Sequence, residues 1–210
     1  MNHGPDYAAY AAKMRRLAAS GSDLEVDARF ADMMSPRRAR ILDLGCGIGS
    51  AVGSLRRRGH LAYGIDPTES ILDVARELFD ATWFRVMSAE SVSAATLSEQ
   101  GLPASYDMVL MSGNVPAFLA DGRLRETFRR LPSLLNPGGG FVVGTTTNYR
   151  GGPIDQDLAA AGSGLTLTHR YADWHLGIFS EESPWSVSVY SNAGSRVRDN
   201  GPDGMFVLGS

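Results

Sequence analysis

A chain of 210 residues, 43% hydrophobic and 20% charged, holds enough apolar material for one core-bearing domain with a small cap. A net charge of −3 and a pI near 5.8 set it apart from the basic proteins that grip nucleic-acid phosphates. Cys46 stands alone, which excludes an intrachain disulfide and a cysteine zinc cluster, and no apolar run approaches the ~20 residues that cross a bilayer.

The N-terminal stretch MNHGPDYAAYAAKMRR has no apolar signal core before its charges, so the expected setting is soluble, reducing and cytoplasmic. It reads as the start of two helices. The first covers about Pro5 to Ala19 and ends at Gly21. The second follows SDLE, where Ser22 and Glu25 stand at capping-box spacing, and runs to about Met34 before Pro36 stops it. Strand and helix patterns then alternate. ARILDLG is a short apolar run into glycine, SAVGSLRRRG a helix ending at Gly59, LAYGID a second strand, and TESILDVARELF a helix with Ile71, Leu72, Ala75, Leu78 and Phe79 on one side. TWFRVMS is a third strand, Ser91 to about Gln100 a weaker helix, and YDMVLMSG a fourth strand. GRLRETFRRLPSLL is helical until Pro132 bends or ends it, and NPGGGFVVGTTT is a turn and a fifth strand.

Apolar strands alternating with helices predict a parallel sheet covered on both faces. The last third differs. After a short helix at IDQDLAAAG, the strands LTLTHRY and WSVSVYS are joined by Ala172 to Pro184, too short for a helical crossover, so they pair antiparallel. From Asn192 the tail is turn-rich, and within it only MFVLG can form a strand. The boundaries read from this pattern are a helical cap over residues 1–36, a main domain over 37–192 and a tail over 193–210.

The stretch ILDLGCGIGS spaces Gly45, Gly47 and Gly49 as G-x-G-x-G, with Ser50 where the dinucleotide fingerprint has its third glycine. Asp43 precedes them at the tip of the first strand. A carboxylate there repels a pyrophosphate and welcomes a cation, such as an ammonium beside a sulfonium. With these residues the stretch resembles motif I of the class I S-adenosylmethionine-dependent methyltransferases. Further pieces fall in the family's order: YGIDPTES with Asp66 and Pro67, MSAES with Ser88, Ala89 and Glu90, YDMVLMSGNV with Met111, Ser112 and Gly113, and LLNPGGGFVVG.

The resemblance covers roughly Arg40 to Ser191. It implies a Rossmann-like α/β domain with a seven-stranded sheet of order 3-2-1-4-5-7-6, strand seven antiparallel, helices on both faces and the two N-terminal helices over its mouth. It also implies a cofactor, S-adenosylmethionine, leaving as S-adenosylhomocysteine, held by Asp43, Gly45, Cys46, Gly47, Gly49, Asp66, Pro67, Ser88–Glu90 and Met111–Gly113. Asp66 takes the two ribose hydroxyls, a bidentate contact that suits a carboxylate. Where relatives carry Asp-Ala against the adenine amino group, this chain has Ser88-Ala89-Glu90, so either Ser88 or Glu90 reads it, with a backbone N–H near Ala89 for the ring nitrogen.

The implied activity is methyl transfer to oxygen or nitrogen of a small molecule, by a monomer or homodimer, without a membrane, nucleic acid or metal. Candidate acceptor-side groups are Tyr7, Tyr10, Asn114, Tyr149 and the Trp174–His175 loop, with His175, Asn114 and Tyr149 as candidate catalytic residues. Cys46 is a small filler in the turn, which argues against chemistry that needs a thiolate. Asp155 and Asp157 are spaced like metal ligands but sit in a polar helix start. A non-catalytic S-adenosylmethionine-binding protein, a protein or RNA methyltransferase and, more distantly, an NAD-dependent oxidoreductase remain as alternative readings.

Overall fold

The computed structural model describes residues 7–192. The tail with its MFVLG segment and the Tyr7 side chain lie outside the described residues. Two helices, α1 (Tyr7–Ala19) and α2 (Val26–Met34), precede the sheet. Then come β1 (Arg40–Leu44), α3 (Ser50–Arg57), β2 (Leu61–Asp66), α4 (Glu69–Leu78), β3 (Phe84–Val86), α5 (Ala94–Glu99), β4 (Tyr106–Met111), α6 (Val115–Phe118), α7 (Arg123–Leu134), β5 (Leu135–Thr146), α8 (Pro153–Ala160), β6 (Leu165–Tyr171) and β7 (Trp185–Asn192). The sheet has seven strands in the order β3-β2-β1-β4-β5-β7-β6. The pairs among β1 to β5 are parallel, and β7 runs antiparallel between β5 and β6, as the sequence pattern anticipates.

Strand alternation divides the core into two layers. Leu42, Leu44, Val109 and Met111 face one layer with Phe128, Phe141 and Tyr190, and Ile41, Met108 and Leu110 face the other with Phe30, Val52, Leu55 and Leu72. Both faces of the parallel strands are thus dry. Phe128 meets Phe141 and Tyr190 edge-to-face at centroid distances of 5.2 and 5.4 Å. The edge strand β6 keeps Thr166, Thr168 and His169 exposed, which blunts pairing with another sheet.

Three local expectations change. The Ser22–Glu25 capping box does not form: Asp23 Oδ1 accepts the Glu25 N–H at 3.1 Å, and Glu25 sends its own carboxylate across to Ser54 Oγ at 2.7 Å and to Arg57. The acid thereby ties α2 to α3. Pro132 stays inside α7, in its last turn, where its missing N–H leaves one carbonyl of the preceding turn without a helical donor. The NPGGG turn is absorbed into β5 as a bulge, since Tyr106 pairs with Leu135 but Met108 with Gly140, two steps along β4 for five along β5.

The arginine run at the end of α3 is engaged internally. Arg56 lies 4.6 and 4.7 Å from the Tyr63 and Trp83 rings, Arg57 pairs with Glu25, and Arg58 comes within 3.8 Å of Asp32. His60 joins the same corner. Its Nδ1 accepts the Ala39 N–H at 3.1 Å, so Nε2 carries the proton and donates to Asp32 at 2.9 Å.

Candidate functional site

The carboxyl ends of β1, β2 and β4 converge where strand order reverses, the place open parallel sheets reserve for ligands. Between β1 and α3 the chain turns through Gly45, Gly47 and Gly49 at φ of +77, +54 and +78°, a region that L side chains rarely adopt. Gly45 and Cys46 donate their N–H groups to the Ile65 carbonyl at 2.8 and 3.0 Å, and Gly47 donates to Asp66 Oδ2 at 3.2 Å. The loop is therefore pinned to the tip of β2. A Cβ on Gly45 would meet Val115 at 2.4 Å, so bare backbone is required there.

Two cavities adjoin over this loop, sharing Tyr10, Gly45, Gly47 and Gly113. The larger, about 420 Å³, lies over β2 and β3 and is lined by Asp66, Pro67, Ile71, the Ser88–Glu90 turn, Asn114 and Phe118 among others. The smaller, about 260 Å³, lies over β1 and β4 and is lined by Asp27, Asp43, Cys46, Ser112, Trp174 and Trp185 among others. A third cavity of about 340 Å³, bounded by Leu119, Arg125, Arg150 and Leu158, does not include the glycine loop.

Three carboxylates define the electrostatics. Asp43 is 2% exposed, and its Oδ1 makes no hydrogen bond among the described residues. Burial, then the charges of Asp27 and Asp66, hold it well above the ordinary carboxylate range. Asp66 is also raised by burial, against hydrogen bonds from the N–H groups of Thr68 and Gly47. Asp27, in the first turn of α2, accepts Ser112 Oγ at 2.7 Å and the Ala28 N–H at 2.8 Å, and burial raises it too. The Cys46 thiol is pushed well above its usual value by burial and then by Asp43 and Asp66.

Most residues expected around the cofactor line one of the two cavities. Two do not. Gly49 faces inward, where a Cβ would stand 2.7 Å from the Phe84 ring, so it serves the packing of α3 on β3. Met111 is fully buried in the core. At the β3 end Ser88 Oγ accepts the Glu90 N–H at 3.2 Å, and Glu90 accepts the Ala120 N–H at 2.6 Å with Arg123 at 3.9 Å, so both candidate adenine readers already have partners.

The acceptor-side expectations divide more sharply. Tyr10 and Trp174 line the cavities, with the Tyr10 hydroxyl 3.7 Å from the Cβ position of Gly47. Asn114 lines the larger one, but its Oδ1 accepts Thr145 Oγ1 at 3.0 Å and the Thr146 N–H at 2.7 Å, which locks the β4 tip to β5. Tyr149 is 66% exposed and lines neither cavity. His175 is exposed in a tight turn where its N–H donates to Asp173 Oδ1 at 2.7 Å, and it lines neither cavity. The turn carries the Trp174 indole inward and leaves the neighbouring imidazole outside. Asp155 accepts the Gly151 N–H and Asp157 pairs with Arg170, both internal roles.

Sequence reasoning missed Asp27. An acid in a first helical turn reads as a complement to the helix dipole, and no local pattern reveals that α2 packs against the β4 tip.

A family model described as a methyltransferase domain matches residues 41–139. A solved TehB-like S-adenosylmethionine-dependent methyltransferase from Corynebacterium glutamicum is 29% identical and superposes with a TM-score of 0.80, covering 89% of this chain and 97% of that one. These likenesses support a class I S-adenosylmethionine-dependent methyltransferase. The CcbJ methyltransferase of Streptomyces caelestis, 21% identical, shares the methyltransferase fold with a TM-score of 0.70 over 81% of this chain and 89% of its own. A Geobacillus sp. protein provisionally named as a methyltransferase is 29% identical over 66% of this chain, and the match spans 55% of that relative's length.

Proposed function

We propose that this methyltransferase-family chain moves a methyl group from S-adenosylmethionine to a nitrogen or oxygen of a small molecule. The observation that carries the reading is the pair of cavities meeting over the Gly45–Gly47 backbone, one facing Asp66 and the other the orphaned Asp43 Oδ1. One end suits a diol, the other an ammonium. A dinucleotide would instead bring pyrophosphate against Asp43.

In this reading Asp66 takes the ribose hydroxyls, the Ser88–Glu90 turn receives the adenine edge through its backbone, and Asp43 faces the ammonium. Tyr10 covers the junction from α1. When bound, the cofactor supplies a sulfonium-activated methyl that leaves in one in-line displacement, a reaction that asks for no metal. The chain supplies alignment and a water-poor enclosure, which in well-oriented systems removes ~7–11 kcal/mol of barrier. The absence of arginine and lysine from the described lining of both cavities supports a small acceptor over a nucleic acid. A cap over 1–36 and a catalytic domain over 37–192 fit this assignment, and a reducing cytoplasm suits a chain whose only cysteine is a free, buried thiol.

Thermal-shift titration tests the cofactor. S-adenosylhomocysteine at a hundredfold excess over its Kd should stabilise by ~2.7 kcal/mol, a rise in Tm of roughly 5–11 °C for a chain of this size, and NADH should not. Stabilisation by NADH alone rejects the reading. Transfer of radiolabelled methyl from S-adenosylmethionine to a metabolite extract then separates an enzyme from a non-catalytic binder.

A further inference from the structure

The smaller cavity holds more carboxyl groups than the cofactor's single net positive charge can pair. Asp23, Asp27 and Asp43 all line it, and no arginine, lysine or histidine does among the described residues. Asp23 is matched from outside by Arg29, with contacts of 2.9 and 2.5 Å. Among the described residues Asp27 and Asp43 have no such counter-ion, and Asp66 adds a third carboxylate next door. S-adenosylmethionine carries one ammonium, one sulfonium and one carboxylate, a net charge of one. If Asp43 faces the ammonium, Asp27 is left over.

Asp27 also has the right place. Its hydrogen bond to Ser112 sets it at the β4 tip, and the Trp174 and Trp185 indoles line the same cavity. Indole faces attract cations. Asp43 Oδ1, in the same lining, makes no hydrogen bond among the described residues; the Trp185 Nε1–H, also unpaired there, is a donor and calls for an acceptor atom on the ligand, not for its cation. An acid serving only as a helix-start residue would not need this setting.

Resting on the methyltransferase reading above, we infer that the acceptor is a cationic amine, anchored by Asp27 between Trp174 and Trp185. A protonated amine cannot attack a methyl group. Asp27 takes one proton from the bound ammonium, which frees the nitrogen lone pair. That pair forms the new N–C bond as the C–S pair returns to sulfur. The products are the methylated ammonium and S-adenosylhomocysteine, with the removed proton on Asp27 until it passes to water.

Calorimetric binding to the full chain saturated with S-adenosylhomocysteine tests this without turnover. The probes are two isosteric series: 2-phenylethylamine, 2-phenylethanol and phenylacetate, and cyclohexylamine, cyclohexanol and cyclohexanecarboxylate. In at least one series the amine should bind at least tenfold more tightly than the alcohol, and the carboxylate most weakly. Asp27→Asn, which keeps shape and removes charge, should erase the amine's advantage and leave S-adenosylhomocysteine affinity within twofold. Ser112→Ala, which keeps the charge, should retain the preference.

Equal or better binding of the alcohols or carboxylates in both series, or no binding of either amine, overturns the inference. So does an amine preference that survives in Asp27→Asn, or a loss of cofactor affinity in that variant, which would assign Asp27 to the cofactor instead. If Asp27→Asn does not fold, the wild-type series alone decides. Failure of S-adenosylhomocysteine itself to bind counts against the proposed function, a separate result.

Discussion

Asp66 has two duties that one substitution removes together. It holds the Gly47 and Thr68 N–H groups and, in the proposed site, faces the ribose diol. Asp66→Ala should therefore weaken S-adenosylhomocysteine binding by ~1–3 kcal/mol, the usual loss for a hydrogen bond to a charged group. Titration calorimetry on the folded variant reads this, and unchanged affinity counts against the assignment. Asp43 behaves differently because nothing in the described structure satisfies its Oδ1. Its folded value lies above the unfolded one, so the unfolded chain releases this proton first. Stability contributed by the protonated acid is lost as pH rises from about 4 toward the folded value. The wild type without ligand should lose more Tm than Asp43→Asn between acid and neutral pH, while the variant binds S-adenosylhomocysteine more weakly. Parallel Tm profiles would show that Asp43 is not the strained group. Asp43 was legible in the sequence because it precedes the glycine turn near the tip of β1, and Asp66 because YGIDPTES falls where the family resemblance places an acid at the end of the second strand. Asp27 was not, because its proposed role depends on a hydrogen bond to Ser112, just beyond β4 and 85 residues further along the chain.

The β5–β7 pairing and the loop before β7 together build one wall of the smaller cavity. Gly144 in β5 lacks a side chain where the Trp174 indole lies, and a Cβ there would stand 2.2 Å from the ring. Phe30 of α2 braces the same indole edge-to-face at 5.5 Å. Gly144→Ala should cost about 1–3 kcal/mol, the range for overpacking, and lower Tm by roughly 2–12 °C. Calorimetric unfolding with tryptophan fluorescence checks it: a displaced Trp174 should change the emission along with Tm. An unchanged spectrum would show that the wall adapts elsewhere. The same segment marks the limit of reading elements from pattern. Its apolar run identified a strand, but NPGGG gives the same signal for a turn and for a bulge, and only pairing with β4 decides between them. Likewise, alternation placed Trp174 and His175 in a loop without saying which would face inward.

Across the whole molecule, strand direction was the most readable property, whereas the order of the strands came from the family resemblance. Apolar strands separated by helices favour parallel neighbours, and the short link before β7 makes it antiparallel to β6. What the pattern leaves open is which loops meet above the sheet, since that depends on twist, bulges and the helices that precede β1. Among the described residues no helix is long and apolar enough to cross a membrane. The acid-rich crevice sits where three strand tips converge, so a change in any one of them is felt by the others.

The thiol of Cys46 occupies the space Gly64 leaves open, its Sγ 2.6 Å from where a Cβ would be. As the chain's sole cysteine it is a clock already installed beneath the glycine turn. A maleimide can reach it only after that turn lifts. Modification should thus be slow in the native protein, immediate in denaturant, and slowed at least tenfold further when S-adenosylhomocysteine weighs the turn down. Fast labelling indifferent to that nucleoside would mean the turn breathes freely and holds nothing.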